Sequence, residues 1–159
     1  QPDERIDAML ASGQRVFGEN RVQEADARWA SRRSGVELRL IGPLQTNKVR
    51  EAVALFDVIE TIDREKLARA VAAELARTGR TPRLYIQVNI GEEPQKVGVA
   101  PSDADAFIDQ CRGLGLLIEG LMCIPPDGAP AAPFFARLAA IAGRNGLRKL
   151  SIGMSSSRM

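Results

Sequence analysis

What most limits the fold of this sequence is an alternation. Short apolar runs rich in Val, Ile and Leu take turns with segments whose apolar residues recur at helical spacing, from one end of the chain to the other. The runs Arg15 to Gly18, Leu38 to Ile41, Asp57 to Ile62, Arg83 to Ile90, Leu116 to Ile124 and Leu150 to Met154 read as strands. Several are near-continuously apolar, as strands covered on both faces are, and helices between all of them require a parallel sheet. An α/β fold follows, either an open doubly wound sheet or a (β/α)8 barrel. No GxGxxG or Walker pattern follows any strand, which weighs against the first. A chain that opens on a helix and closes on a strand points to a TIM-type barrel lacking its first and last strands.

The helices carry their own punctuation. Gln1 to Gly13 has Pro2 and two acidic residues in its first turn, then Ile6, Met9 and Leu10 on one face. Asn20 is placed to cap a helix bearing Val22, Ala25 and Trp29, and Asp63 to cap one bearing Leu67, Val71 and Leu75 that stops at Gly79. Ser102 and Asp105 resemble a capping box ahead of Phe107, Ile108 and Cys111. Pro125 to Pro133 reads as a loop and Phe134 to Ala142 as the last helix. The segment LRLIGPLQTNKVR, Leu38 to Arg50, shows a whole unit: strand, Gly-Pro break, polar loop, then Val49, Val53 and Phe56 at helical spacing. A polar loop at the carboxyl end of a buried strand is where α/β proteins keep their chemistry. Gln45, Thr46 and Asn47 could equally serve only to turn the chain and cap the helix.

Composition removes several function classes. The sequence has 159 residues, which fits one domain, and a net charge of +2 with no long block of one sign, so it carries no nucleic-acid footprint. Arg28, Arg32 and Arg33, on or just after one helix, read as a solvated face. Histidine is absent, which eliminates Ser-His-Asp and Cys-His nucleophile systems and imidazole zinc sites. Cys111 and Cys123 lack metal or redox spacing and read as reduced core thiols of a cytoplasmic protein. No run approaches the ~20 apolar residues of a membrane span.

Five segments, VFGENRVQEA, LIGPLQTNKVR, VNIGEEPQKVG, GLMCIPP and LSIGMS, occur in this order through nearly the whole chain. Together they resemble the YggS-like family of pyridoxal-phosphate homeostasis proteins. The resemblance implies a single (β/α)8 barrel domain of the alanine racemase N-terminal kind over residues 1–159, incomplete at both ends. It also implies binding of pyridoxal 5'-phosphate as a lysine aldimine, no catalytic turnover, and intracellular pyridoxal-phosphate homeostasis with dependent apoenzymes as partners. The complete protein would be a monomer, without nucleic-acid or membrane partners.

By the same resemblance, Asn20, Asn89, Met122, Gly153, Met154 and Ser155 surround the cofactor. Each lies at the carboxyl end of a predicted strand, the face on which barrel sites are built. On the residues alone, Asn20 could be a helix cap, Asn89 a turn residue, Met122 core packing and Ser155 an unstructured terminal serine. The Schiff-base lysine belongs in a short SK motif at the end of the first barrel strand, upstream of Gln1. Lys48, Lys66, Lys96 and Lys149, the only lysines, do not replace it by spacing. A racemase of this fold would need a lysine and tyrosine as opposed acid and base. Tyr85, the only tyrosine, falls early in its strand. An interaction module without cofactor is the remaining alternative.

Overall fold

A computed structural model of the chain describes residues 3–94 and 97–153. The elements run α1 (Asp3–Ala11), β1 (Val16–Glu19), α2 (Val22–Trp29), β2 (Glu37–Leu40), α3 (Val49–Leu55), β3 (Val58–Ile62), α4 (Glu65–Thr78), β4 (Arg83–Gln87), α5 (Ala104–Gly113), β5 (Ile118–Cys123), α6 (Ala131–Arg144) and β6 (Lys149–Ile152). Short 3-10 turns, Thr46–Lys48 and Pro101–Asp103, lead into α3 and α5. The six strands form one sheet in the order β1-β2-β3-β4-β5-β6, every neighbouring pair parallel. A doubly wound sheet reverses its order near the middle; this one never does. The architecture is a parallel α/β half-barrel.

Because all strands run the same way, the residues that follow them gather at one end of the sheet. Asn20, Gly42, Asp63, Asn89, Ile124 and Gly153 therefore share one rim. Between sheet and helices lies the main core. Leu38, Leu40, Ile59, Leu84, Ile86 and Leu121 point into it from the strands, against Trp29, Phe56, Leu67, Val71, Ile108 and Leu138 from the helices. Each such side chain taken wholly out of water contributes on the order of 1.5–3 kcal/mol. Leu40, Ile59, Ile86 and Val88, read as buried, are at most 1% exposed.

The concave face of the sheet is different. A small apolar cluster, Val58, Tyr85 and Met122 with Ile41 and Ile124, lies apart from the main core. Beside it runs a ladder of paired charges. Arg39 Nε donates to Glu60 Oε2 at 2.6 Å and its Nη1 to Glu37 Oε2 at 3.0 Å. Arg83 pairs with Glu37, and Lys149 Nζ lies 2.8 Å from Glu119. The Arg39 guanidinium also stands 5.4 Å from the centroid of the Tyr85 ring. Burial works against its charge, but hydrogen bonds to Glu60, Glu37 and Tyr85 outweigh that and raise its pKa. The concave face is thus lined by charged side chains that pair across neighbouring strands, as the polar inside of a small barrel can be.

Several helix starts differ from the sequence reading. Arg21 and Arg64, not Asn20 and Asp63, occupy the cap positions of α2 and α4, and neither helix has a side-chain cap bond. Asp63 instead accepts from the Gly98 amide, a tertiary partner 3.0 Å away. Ser102 and Asp105 form no capping box, because a 3-10 turn intervenes and Asp105 bonds Asn145 and Arg144. Nor does a side chain of Gln45 cap the Thr46–Lys48 turn. The helix-ending role of Gly79 holds, with φ 71 in the left-handed region that glycine tolerates. The last helix starts two residues before Pro133, which sits harmlessly in its first turn, where its missing N–H is not needed.

The fourth strand ends at Gln87 rather than Ile90; the Val88 amide still donates to Met122 O of β5 at 2.8 Å, while Val88 forms an isolated parallel bridge with Val99 of its own following loop. The arginines near the end of α2 are not a solvated face. Arg28 holds Glu19, Arg32 holds Asp7 at 2.7 Å, and Arg33 holds Asp57 at 2.7 Å, tying α1, β1 and the start of β3 around α2. Cys111 and Cys123 are free and buried as expected, and burial pushes their thiols up to about 12 and about 11. Among the described residues no helix is long and apolar enough to cross a membrane.

Candidate functional site

The rim at the carboxyl ends of the strands is assembled by close backbone approaches. Gly42, just past β2, lies against the Asn20 carbonyl so tightly that a Cβ there would overlap the oxygen and lie 2.8 Å from the Asn20 Cα. This pins the turn after β1 to the turn after β2. Behind it, Glu19 is only 5% exposed and fully engaged. Arg28 Nη1 donates to both of its carboxylate oxygens at 3.0 Å and Trp29 Nε1 to one at 2.8 Å. The result is a rigid GEN turn whose Asn20 side chain is exposed and makes no hydrogen bond to another described residue. The Asn20 side chain is not spent on capping α2.

Asn89 has a different role. Its Nδ2 donates to the Glu93 carbonyl at 2.7 Å and its Oδ1 accepts from the Glu93 amide at 3.2 Å, so the side chain braces the loop it begins. Its own amide donates to Val99 O at 2.8 Å, closing that loop at the neck. Met122 is fully buried, next to Tyr85 and Val58 on the concave face, and forms part of an apolar floor below the rim. Gly153 belongs to the same floor. A Cβ on it would lie 3.0 Å from Ile124 Cγ1 and 3.7 Å from Met122 Cε, so glycine there keeps the space above Met122 open.

The Gly153 amide donates to Cys123 O at 2.8 Å, which removes it as a phosphate donor. Met154 and Ser155 lie outside the described residues. The structure thus brings Met122 and Gly153 into one floor, places Asn20 and Asn89 on the same rim, and commits the Asn89 amide elsewhere. Lys48, half-buried after β2, has no ion pair with another described residue.

Sequence reasoning missed the ladder on the concave face and the bonds that fasten the rim. A signal was present: Glu37, Arg39 and Glu60 sit at every second position of otherwise apolar strands, as residues facing a barrel interior do. Two buried acceptors there, Glu60 Oε1 and Gln87 Oε1, have no donor among the described residues. By contrast, a groove of about 550 Å³ opens at the amino ends of the strands, beside Arg33, Glu37, Asp57 and Arg83. Its charges are already paired with one another, and it lies on the face opposite to the rim.

Comparison with known proteins meets this geometry at several points. The family model described as "Alanine racemase, N-terminal domain" matches residues 3–157. A pyridoxal phosphate homeostasis protein of Deinococcus radiodurans is 38% identical over 155 residues, covering 96% of this chain and 73% of that protein. Across it and its namesakes in Pasteurella multocida and Pseudomonas aeruginosa, the chain spans between 55% and 73% of their lengths. Among solved structures, PipY of Synechococcus elongatus without PLP is 38% identical with a TM-score of 0.88, covering 98% of this chain and 79% of that one. The same protein with PLP bound is 37% identical with a TM-score of 0.84, covering 98% and 78%. An alanine racemase of Clostridium difficile, 10% identical with a TM-score of 0.75 over 96% of this chain and 41% of that one, shares the fold alone. Sequential parallel strands, a rim of turns at their carboxyl ends and close relatives agree, and the chain belongs to the alanine racemase N-terminal domain family, among its pyridoxal phosphate homeostasis proteins.

Proposed function

We propose that this chain binds pyridoxal 5'-phosphate at the carboxyl rim of its sheet and serves intracellular homeostasis of that cofactor, as a carrier and not as a catalyst. The observation that carries this reading is the match to PipY, whose structure with PLP bound superposes on 98% of the chain. The rim fits such a group. An apolar floor of Met122 and Ile124, kept open by Gly153, suits a flat aromatic ring. The Asn20 amide and the Lys48 ammonium, neither paired with another described residue, are donors suited to a polar substituent or a phosphate. When bound, the cofactor supplies an aldehyde that exchanges with amines.

The remaining roles belong to this chain's own residues. Met122 and Ile124 exclude water from below, and Asn89 shapes the wall rather than touching the ring. A racemase reading finds no support in Tyr85, which lies beneath Arg39 at 3% exposure and belongs to the concave ladder. In the same proposal, residues 1–159 form one domain, further strands beside β1 and β6 close the sheet into a (β/α)8 barrel, and the Schiff-base lysine implied by the family lies upstream of Gln1. The protein would act as a cytoplasmic monomer that passes cofactor to dependent apoenzymes.

Mass spectrometry after mixing with pyridoxal phosphate and reducing with borohydride tests the placement. Polypeptide 1–159 is expected to bind reversibly, with inorganic phosphate competing, and to gain no stoichiometric pyridoxyl group on Lys48, Lys66, Lys96 or Lys149. A stoichiometric label on any of the four would move the site; absence of any saturable binding would remove the function.

A further inference from the structure

We infer that Asp63, with Arg64, is a positioning residue that fastens three successive rim loops together and thereby holds Asn89 and the wall of the proposed pyridoxal-phosphate site. The inference rests on that site reading for its ligand, but its structural content stands apart from it.

Asp63 is the first residue beyond β3, and its side chain is 10% exposed. One oxygen accepts from the Gly98 amide at 3.0 Å, in the loop after β4. The other accepts from Arg64 Nη1 at 2.9 Å, and Arg64 Nη2 donates to the Leu44 carbonyl at 2.8 Å, in the loop after β2. A single chain of bonds therefore runs Leu44, Arg64, Asp63, Gly98. It crosses from one rim loop to the next without using the sheet.

Gly98 is built to receive it. Its φ of 117 is one that side-chain-bearing residues rarely adopt, and a Cβ there would lie 2.6 Å from the Asn89 amide nitrogen. The segment it holds is stitched back onto β4 by Val99 N to Gln87 O at 2.9 Å and Asn89 N to Val99 O at 2.8 Å. Fixing the Gly98 amide thus fixes Asn89, whose side chain in turn fixes Glu93. A carboxylate supplies charge-assisted bonds in both directions, where a helix cap would have needed only one.

The carboxylate also has a specific chemistry that substitution can separate. Asp63→Asn keeps an oxygen for Gly98 but turns an NH2 toward the Arg64 donor, so one of the two bonds is lost; Asp63→Ala loses both. The experiment is backbone amide exchange in the protein without ligand, followed by pyridoxal-phosphate titration of the same samples. Exchange at Gly98 and Asn89 is expected to quicken about tenfold in Asp63→Ala and less in Asp63→Asn, while Ile59 and Ile86 in the core stay protected. The dissociation constant for pyridoxal phosphate should rise in the same order. Should Asp63→Ala fail to fold, Asp63→Asn and Arg64→Gln carry the comparison, since each breaks one link. Unchanged Gly98 exchange in the folded variants, or a uniform rise that includes the core, would overturn the inference. If the parent binds no pyridoxal phosphate, the proposed function fails while the exchange result still decides the role of Asp63.

Discussion

Gly42→Ala is expected to destabilise the protein by at least about 3 kcal/mol, beyond the ~1–3 kcal/mol usual for overpacking. The reason is the kind of neighbour. An added methyl would overlap the Asn20 carbonyl oxygen, with the Asn20 carbonyl carbon at 2.7 Å and its Cα at 2.8 Å, and backbone cannot rotate away as a side chain can. Relief requires parting the turns after β1 and β2, and the Ile41 amide bond to Glu19 O, 2.9 Å long, lies directly beside them. Loss of the rim should accompany the loss of stability, so pyridoxal-phosphate binding should fall even at temperatures where the variant stays folded. Urea unfolding followed by the fluorescence of Trp29, the only tryptophan, measures the first effect. A midpoint unchanged from the parent would show that the two turns are not locked together. Gly79→Ala offers a contrast, since nothing lies within 4 Å of the added carbon and only the left-handed backbone resists it.

Glu19→Ala should cost about 3–5 kcal/mol, the range for breaking a buried ion pair from one side. Two donors lose their acceptor at once. Arg28, with a side chain 18% exposed, keeps only a 3.8 Å approach to the exposed Asp3, and Trp29 Nε1 is left without a partner in a fully buried ring. Trp29 packs against Phe17 with ring centroids 4.8 Å apart, so disturbance of the carboxylate is felt in the core between β1 and α2. Glu19→Gln keeps the size and one acceptor oxygen and should cost less than half as much. Equal losses for Gln and Ala would mean that the charge matters more than the hydrogen bonds; a loss below about 1 kcal/mol for Ala would mean the pair is no anchor.

The succession of strands and helices could be read from the sequence because burial imposes period there. Leu67, Val71 and Leu75 mark one helix face, and Leu84, Ile86 and Val88 one strand face, whatever else the chain does. Sheet order was less accessible, since the alternation of elements is shared by wound sheets and barrels. The caps failed for a common reason. Asp63 and Asp105 carry oxygens suited to a helix amide, but tertiary donors, Gly98 and the Asn145–Arg144 pair, capture them first. Arg28, Arg32 and Arg33 looked solvated because their partners lie on other elements, and local pattern cannot see a partner 24 residues away such as Asp57 for Arg33.

At the rim, the sequence located the residues without their duties. Asn20, Asn89, Met122 and Gly153 do lie at the carboxyl ends of strands, where strand-end turns were expected. Their hydrogen bonds set them apart: Asn89 closes its own loop and the Gly153 amide is spent on Cys123 O, while the Asn20 side chain bonds no other described residue. Spacing carries no information about which of several polar groups at a rim has already found a partner. The ladder of Glu37, Arg39 and Glu60 shows the converse, charges inside apolar strands that make sense only once the concave face is known.

Amide chemical-shift mapping on titration with pyridoxal phosphate asks directly whether the carboxyl rim of the sheet, as proposed, receives that ligand. Saturable shifts are expected at Asn20, Gly42, Asn89 and Gly153, with Gly35, Asp57 and Thr81 around the opposite groove unmoved. Shifts confined to Gly35, Asp57 and Thr81, or none at saturating ligand, would contradict it.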